Sequence, residues 1–388
     1  MRPCRVAFYC HQIRGLGHFA LCNYLASNLA KTEKFETAII TSSDISLSIG
    51  SGIKAVLLPH ISEPFYGRLA TETIDRRIAA MIQFCRSWRP EFMIVDVLPI
   101  GVGGELLSVL ECAVTERWPT VFAFNVPYTE GVIRYRPKNP RIASAYDVYS
   151  IVIGTQDPQF DPVLRNLDMF RNIRCKAYIG VAAPVPATHC PQGDSTVKRV
   201  LVLCGGGFYN TADFIRCVFD AGRSLLEEKK ISILAVAGPL AGKIEVFEDY
   251  RHLAVEIRPE GRAEECTAEA DVIISRCGYN TAYTVIQGVV PIIFIPTSGQ
   301  EGEQINRAKK LANIDRVWSI EETGNQLNAA LSVTLTAALA AGSKPRQLPF
   351  TTQGAARLSD FLIEYNDRRS FSALRGIQFD TSRNSTTV

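Results

Sequence analysis

Val200-Leu201-Val202-Leu203-Cys204-Gly205-Gly206-Gly207 is an apolar run that stops on three glycines. Apolar residues without alternation read as a strand buried on both faces, the kind found in a parallel sheet covered by helices. Phe208-Tyr209-Asn210-Thr211 then opens a helical pattern, with Asn210 or Thr211 expected to cap it. A strand that enters a helix through glycines leaves backbone N–H groups at the positive end of a helix dipole, where phosphate binds. Successive glycines also let a ligand approach the backbone closely.

The same arrangement occurs twice more. Arg5-Val6-Ala7-Phe8-Tyr9-Cys10 leads to Gly15-Leu16-Gly17-His18, and Asp271-Val272-Ile273-Ile274 leads to Ser275-Arg276-Cys277-Gly278-Tyr279-Asn280-Thr281. Asn280 and Thr281 are candidate caps, and Arg276 carries a fixed positive charge suited to a phosphate. One such turn at the start of each half predicts two Rossmann-like α/β domains facing a cleft.

The rest of the chain fits that reading. In the first half, strands at 5–10, 37–42, 54–58, 92–97, 119–124, 148–153 and 175–180 are expected, with helices at 18–31, 68–87 and 102–113. Residues 183–196 contain Pro184, Pro186, Pro191 and Gly193 and read as a linker. The alternation restarts with strands at 198–204, 231–237, 254–258, 271–275, 290–295 and 317–320. Its helices are expected at 211–227, 262–269, 280–287, 303–312 and 323–341. The domains are therefore 1–182 and 197–350, followed by a helix within 351–368 and a Ser/Thr/Asn-rich tail, 369–388, expected to be disordered.

Bulk properties narrow the class. A chain of 388 residues exceeds the size at which one core keeps growing. A net charge of +3 gives no argument for a nucleic-acid partner. The 11 cysteines are scattered without a CxxC pair, which argues against a disulfide framework or a zinc site. No run reaches the ~18 apolar residues of a membrane span, Asn328–Ala341 included, and the cytoplasm is the expected compartment. The basic, aromatic loop Arg134-Tyr135-Arg136-Pro137-Lys138 with Arg141 could touch an anionic acceptor or, weakly, a membrane surface.

Several polar side chains stand where chemistry is expected. His18 opens a helix, where the dipole disfavours protonation, so a neutral imidazole there can act as a general base. His11 lies on the same loop. Asp96 ends a strand of the parallel sheet, where α/β proteins place functional groups, and is an alternative base or an orienting group. Glu303 and Gln304 follow the polar loop 297–302 and offer the acceptors and donors that sugar hydroxyls require.

Together these residues resemble a GT-B glycosyltransferase of glycosyltransferase family 28, which includes the N-acetylglucosaminyltransferase of peptidoglycan synthesis. The resemblance runs through most of 4–366 and is most specific from Ser275 to Ala308. There Ser-Arg-x-Gly, Thr281, Pro291, Pro296 and Glu303-Gln304 fall at the family's spacing. Asp96-x-x-Pro99-x-Gly101-x-x-x-Glu105-Leu106 and Gly15-Leu16-Gly17-His18 resemble a predicted bacterial branch. The resemblance implies a C-terminal domain that binds a nucleotide-diphospho-sugar, an acceptor-binding N-terminal domain, and a helix at 353–366 that crosses back to the first domain. It implies inversion and no cofactor or catalytic metal, in keeping with the lack of a DxD triplet. The implied donor contacts are Gly17, Gly205, Gly206, Gly207, Arg276, Gly278, Asn280, Thr281, Thr284, Glu303 and Gln304. Thr284 stands where the family usually carries a ribose-binding glutamate. The expected activity is hexosyl transfer from a UDP-sugar, or another nucleotide-sugar, to a hydroxyl or amine. A nucleotide-sugar hydrolase or epimerase on this fold, or a non-catalytic nucleotide-sugar-binding homologue, are the alternatives.

Overall fold

A computed structural model describes residues 2–11, 16–42, 49–61, 71–126, 139–164, 173, 175–189, 196–206, 210–297, 302–321, 326–368 and 378–379. The chain divides into two compact units, Met1–Ala182 with Phe350–Val388, and Ala183–Pro349.

The first unit contains β1 (Cys4–Tyr9), α1 (Gly17–Ala30), β2 (Phe35–Thr41), β3 (Ile53–Leu57), α2 (Thr71–Trp88) and β4 (Phe92–Asp96). It continues with α3 (Glu105–Thr115), β5 (Val121–Val126), α4 (Pro140–Tyr146), β6 (Tyr149–Gly154) and β7 (Cys175–Tyr178). The chain's last helix, α10 (Gly354–Arg368), and a two-residue strand, β14 (Gln378–Phe379), complete it. The strand order is β14-β7-β6-β5-β4-β1-β2-β3, parallel except for β14. All five residues of β4 are buried, as a strand covered on both faces requires. Helix α1 buries Phe19, Cys22, Leu25, Ala26 and Leu29, one stripe at helical spacing.

Helix α10 is anchored at its start. Gly354 N–H donates to Val181 O at 2.9 Å, Val181 N–H to Thr351 O at 2.9 Å, and a Cβ on Gly354 would lie 2.7 Å from Gly180 O. Tyr365 then meets Phe92 edge-on at 5.7 Å between ring centroids. Helix α4 was not expected, although its start is legible: Asn139 accepts from Arg141 N–H at 3.0 Å, with proline at the first helical position. Of the tail, 369–388, only 378–379 are among the described residues, and these form a strand. Gln378 and Phe379 pair antiparallel with Tyr178 and Ala177, covering what would otherwise be a sheet edge.

The second unit holds β8 (Lys198–Leu203), α5 (Thr211–Glu227), β9 (Ile231–Val236), β10 (Val255–Arg258), α6 (Ala263–Cys266), β11 (Val272–Ser275) and α7 (Tyr279–Val285). It ends with β12 (Ile292–Phe294), α8 (Glu303–Leu311), β13 (Val317–Ser319) and α9 (Leu327–Ala341). Its sheet runs β10-β9-β8-β11-β12-β13, all parallel. The helix expected over 262–269 is a single α-turn followed by a 3-10 turn at Thr267–Glu269, where the Thr267 hydroxyl donates back to Glu264 O at 3.2 Å. The apolar run at 328–341 lies in α9, which buries Leu331, Leu335 and Ala338. Among the described residues no helix is long and apolar enough to cross a membrane.

Both sheets reverse their strand order once, between β1 and β4 and between β8 and β11. In open α/β sheets the crevice beyond the carboxyl ends of the strands at such a reversal is where ligands bind. His11 and α1 follow β1, and Asp96 ends β4. Gly205 and Gly206 follow β8, and Ser275 ends β11.

Candidate functional site

At the reversal in the first unit, His18 and Asp96 form a pair. His18 Nδ1 lies 2.6 Å from Asp96 Oδ2, and the side-chain exposures are 23% for the histidine and 0% for the aspartate. An ionised carboxylate only accepts, so Nδ1 is the donor, and in the neutral imidazole Nε2 is then the unprotonated nitrogen. His18 is the second residue of α1, whose N-cap position, Leu16, makes no side-chain cap bond. The other aspartate oxygen accepts from Asn125 Nδ2 at 2.7 Å. Gly15 lies outside the described residues, and Gly17 is the first residue of α1.

His11 packs its ring on His18, centroids 4.5 Å apart. Burial, then the neighbouring His18 and the Arg77 charge, hold the His11 imidazole well below its usual range, so it stays neutral. Arg77 belongs to a second buried cluster. Its Nε and Nη2 donate to Glu105 Oε1 at 3.0 and 2.6 Å, and its Nη1 donates to Pro59 O at 2.8 Å. Tyr9 Oη donates to the same Glu105 oxygen at 2.6 Å, and Gly103 N–H donates to Oε2 at 2.7 Å. Burial first, and then the Glu105 charge, push the Tyr9 phenol well above its usual range and keep it a donor.

The stretch from Asp96 to Glu105 now has a physical reading. Leu98 N–H donates to Asp96 O at 2.7 Å around Val97, which has φ 60, a strained value for a β-branched residue. Such strain collects where surrounding structure holds a side chain in place for a task. Gly101 has φ 82, and a Cβ there would stand 2.7 Å from the Glu105 carboxylate. Glycine is therefore required at 101 twice over.

In the second unit, the turn after β8 keeps Gly205 at φ 75, and Leu240 N–H donates to Gly206 O at 3.0 Å. Gly207 lies outside the described residues. Helix α5 starts at Thr211 with Asn210 at its N-cap, φ 38, and neither side chain supplies the expected cap bond. The Thr211 hydroxyl is buried without a hydrogen-bond partner. Helix α7 is led by Gly278, so Asn280 and Thr281 stand inside its first turn, half-buried, and are not its caps. Gly278 has φ −64, and a Cβ there would meet nothing within 4 Å.

Arg276 is buried, with Nη1 donating to Ile295 O at 3.3 Å and its guanidinium 4.1 Å from the centre of the Phe214 ring. Thr284 is also buried, at 2% exposure. Glu303 is buried in an ion pair with Arg307, one helical turn further along α8. Arg307 Nη1 donates to Cys277 O at 2.7 Å, which ties α8 to the turn before α7. Burial lowers the Arg307 pKa, but the Glu303 charge, Cys277, Tyr283 and the Glu303 hydrogen bond together outweigh it and hold the guanidinium above its usual range. For Glu303 to meet a sugar hydroxyl, that pair must open. Gln304 Oε1 accepts from Thr297 N–H at 3.3 Å. The structure thus brings Glu303, Arg307, Cys277 and Tyr279 together, and separately His18, Asp96, Asn125 and His11.

Arg307, Arg77 and Asn125 were not expected from the sequence. Arg307 follows Glu303 at the i,i+4 spacing of helical ion pairs. Arg77 shares the helical stripe of Met81, Phe84 and Trp88 in α2, a position that marks it as buried. Asn125 is a lone polar residue in an apolar strand. Arg134–Lys138 lie outside the described residues. Arg141 makes a two-pronged bond to Glu111, at 2.6 and 2.7 Å.

Residues 200–358 match the glycosyltransferase family 28 C-terminal domain. No curated protein sequence matches the chain. Solved structures similar to it include the glycotransferase of kitacinnamycin, at 14% identity and TM-score 0.59, with 94% of this chain and 99% of that one covered. MurG of Acinetobacter baumannii aligns at 15% identity and TM-score 0.53, covering 93% and 100%. A putative UDP-N-acetylglucosamine 2-epimerase from Listeria monocytogenes aligns at 11% identity and TM-score 0.58, covering 95% and 98%. At these identities the likeness is one of fold, and the matched domain carries the family. Residues 200–358 thus form a glycosyltransferase family 28 C-terminal domain, in a chain whose two-unit α/β architecture is that of the GT-B glycosyltransferases.

Proposed function

We propose that the chain transfers a sugar from a nucleotide-diphospho-sugar, a UDP-sugar first, to a hydroxyl or amine acceptor, by single displacement with inversion and without a catalytic metal. The observation that carries this reading is the His18–Asp96 pair at a strand-order reversal, with a half-buried imidazole on a fully buried carboxylate. Asp96 has no surface for an acceptor, so it takes the orienting role and His18 that of base. The acceptor proton passes to His18 Nε2, the acceptor atom bonds to the anomeric carbon, and the nucleotide diphosphate leaves.

The second unit supplies the donor site in this proposal. Backbone N–H groups of the Gly205-Gly206 turn and the start of α5 bind the diphosphate, with Gly207 and the unpartnered Thr211 hydroxyl beside them. The fold itself asks for no glycine at 278, and an approaching ligand does. Arg276 adds positive charge, Asn280, Thr281 and Thr284 line α7 near the nucleotide, and Gln304 with Glu303 orients the sugar. Gly17 opens the base-bearing helix.

Titration with UDP-, TDP- and GDP-sugars, followed by assay of released nucleotide, tests the reading. His18→Ala should lower turnover by ~100-fold or more, with donor affinity nearly unchanged. Full activity in that variant refutes His18 as base, and free sugar released at the same rate without any acceptor identifies a hydrolase.

A further inference from the structure

We propose that Asn125 is a positioning residue for the reaction: it locks the Asp96 carboxylate so that His18 is held in the tautomer with Nδ1 protonated and Nε2 unprotonated. The inference rests on the reading of His18 as base. Asp96 and Asn125 are register partners on the adjacent parallel strands β4 and β5, so their side chains stand side by side on one face of the sheet. Each aspartate oxygen has one donor, Asn125 Nδ2 at 2.7 Å on Oδ1 and His18 Nδ1 at 2.6 Å on Oδ2. A carboxylate held at both oxygens cannot rotate away from the imidazole. The backbone adds a third restraint, because Val97 N–H, next to Asp96, donates to Asn125 O at 3.1 Å.

Stability alone does not explain this asparagine. It is buried in Val121-Phe122-Ala123-Phe124-Asn125-Val126, where every other residue is apolar. Its own Oδ1 is buried and has no hydrogen-bond partner. A buried amide with an unmet acceptor is a cost that an apolar residue would avoid. The amide cannot be turned to satisfy that oxygen, because Oδ1 would then face the Asp96 carboxylate. What the fold gains for that cost is one donor on Asp96. Sequence alone gives no sign of the pairing, because it depends on the register between two strands whose ends are 29 residues apart.

Nitrogen-15 NMR of histidine-labelled full-length protein at neutral to mildly alkaline pH reads the tautomer directly and needs no acceptor. In the wild type, His18 should show a protonated Nδ1 and an unprotonated Nε2. Asn125→Leu, which keeps the bulk and removes the donor, should shift the His18 tautomer ratio by ~10-fold or more toward protonated Nε2. With the donor sugar identified by the nucleotide-sugar panel, kcat should fall by ~10–100-fold, the usual loss for an outer-shell partner, while the donor KM holds. Asn125→Ala repeats both measurements should the leucine variant fail to fold. A folded Asn125 variant whose His18 tautomer and kcat match the wild type overturns the proposal. Asp96→Asn separates the two readings. If it shifts the tautomer and Asn125→Leu does not, the role given to Asn125 fails alone. If His18→Ala keeps full turnover while Asn125→Leu still shifts the tautomer, the function of His18 fails and the positioning of the pair stands.

Discussion

Two glycines respond oppositely to the same change. Gly101→Ala adds a methyl group 2.7 Å from a buried carboxylate at φ 82, and should cost about 1–3 kcal/mol of stability, read by urea unfolding. Gly278→Ala should cost under about 0.5 kcal/mol, since its φ of −64 suits any residue, yet weaken binding of the nucleotide diphosphate measured by calorimetry. Unchanged nucleotide affinity in that variant would count against the second-unit turn as donor site. His11 gives a pH signature. Its folded pKa lies below its ordinary value near 6.5, so only the unfolded chain takes up this proton as pH falls through 6.5. Stability is unaffected by it above that pH and lost below it, by at most about 1.4 kcal/mol per pH unit. Denaturation curves between pH 7.5 and 5 should show a shallower loss for His11→Phe than for the wild type, and equal slopes would mean the ring is not held neutral.

At the scale of elements, α2, α3 and β1 meet through Arg77, Glu105 and Tyr9. The Arg77–Glu105 pair is 1% and 0% exposed, with hydrogen bonds filling the carboxylate. Removing one partner leaves a buried charge uncompensated, so Arg77→Met should destabilise by about 3–5 kcal/mol. Arg77→Met with Glu105→Gln should recover part of that loss, because no bare charge remains. A double variant less stable than the single one would show that the cluster works through packing instead. By contrast, the Arg141–Glu111 pair is exposed and screened by solvent, and should contribute little to stability.

For the whole molecule, two units with separate cores make a single two-state transition a poor expectation. Differential scanning calorimetry with UDP at 100 times its dissociation constant should add about 2.7 kcal/mol to the second unit and leave the other transition in place. A chain ending at Pro349 loses α10, whose Phe361 and Leu362 are fully buried, and should lose the first unit's transition while keeping the UDP response. Retention of the first transition would show that α10 is dispensable to that core.

The sequence by itself determined the class of fold. Unbroken apolar runs at 5–10, 92–97 and 200–203 identify buried parallel strands, because only such strands lack a wet face. The glycine turns marked where β1, β8 and β11 end, and His18 and Asp96 were each legible from their place at a helix start and a strand end. What the sequence left open was which of the two could meet an acceptor, because burial separates them: Asp96 is sealed and His18 is not. Asn125, Arg77 and the Glu303–Arg307 pair became visible only with strand register and helix packing, which bring together groups separated along the chain. Local pattern fixes which face of an element is apolar. Whether a polar side chain on that face is exposed, paired or poised for chemistry is decided by the neighbours the tertiary fold gives it.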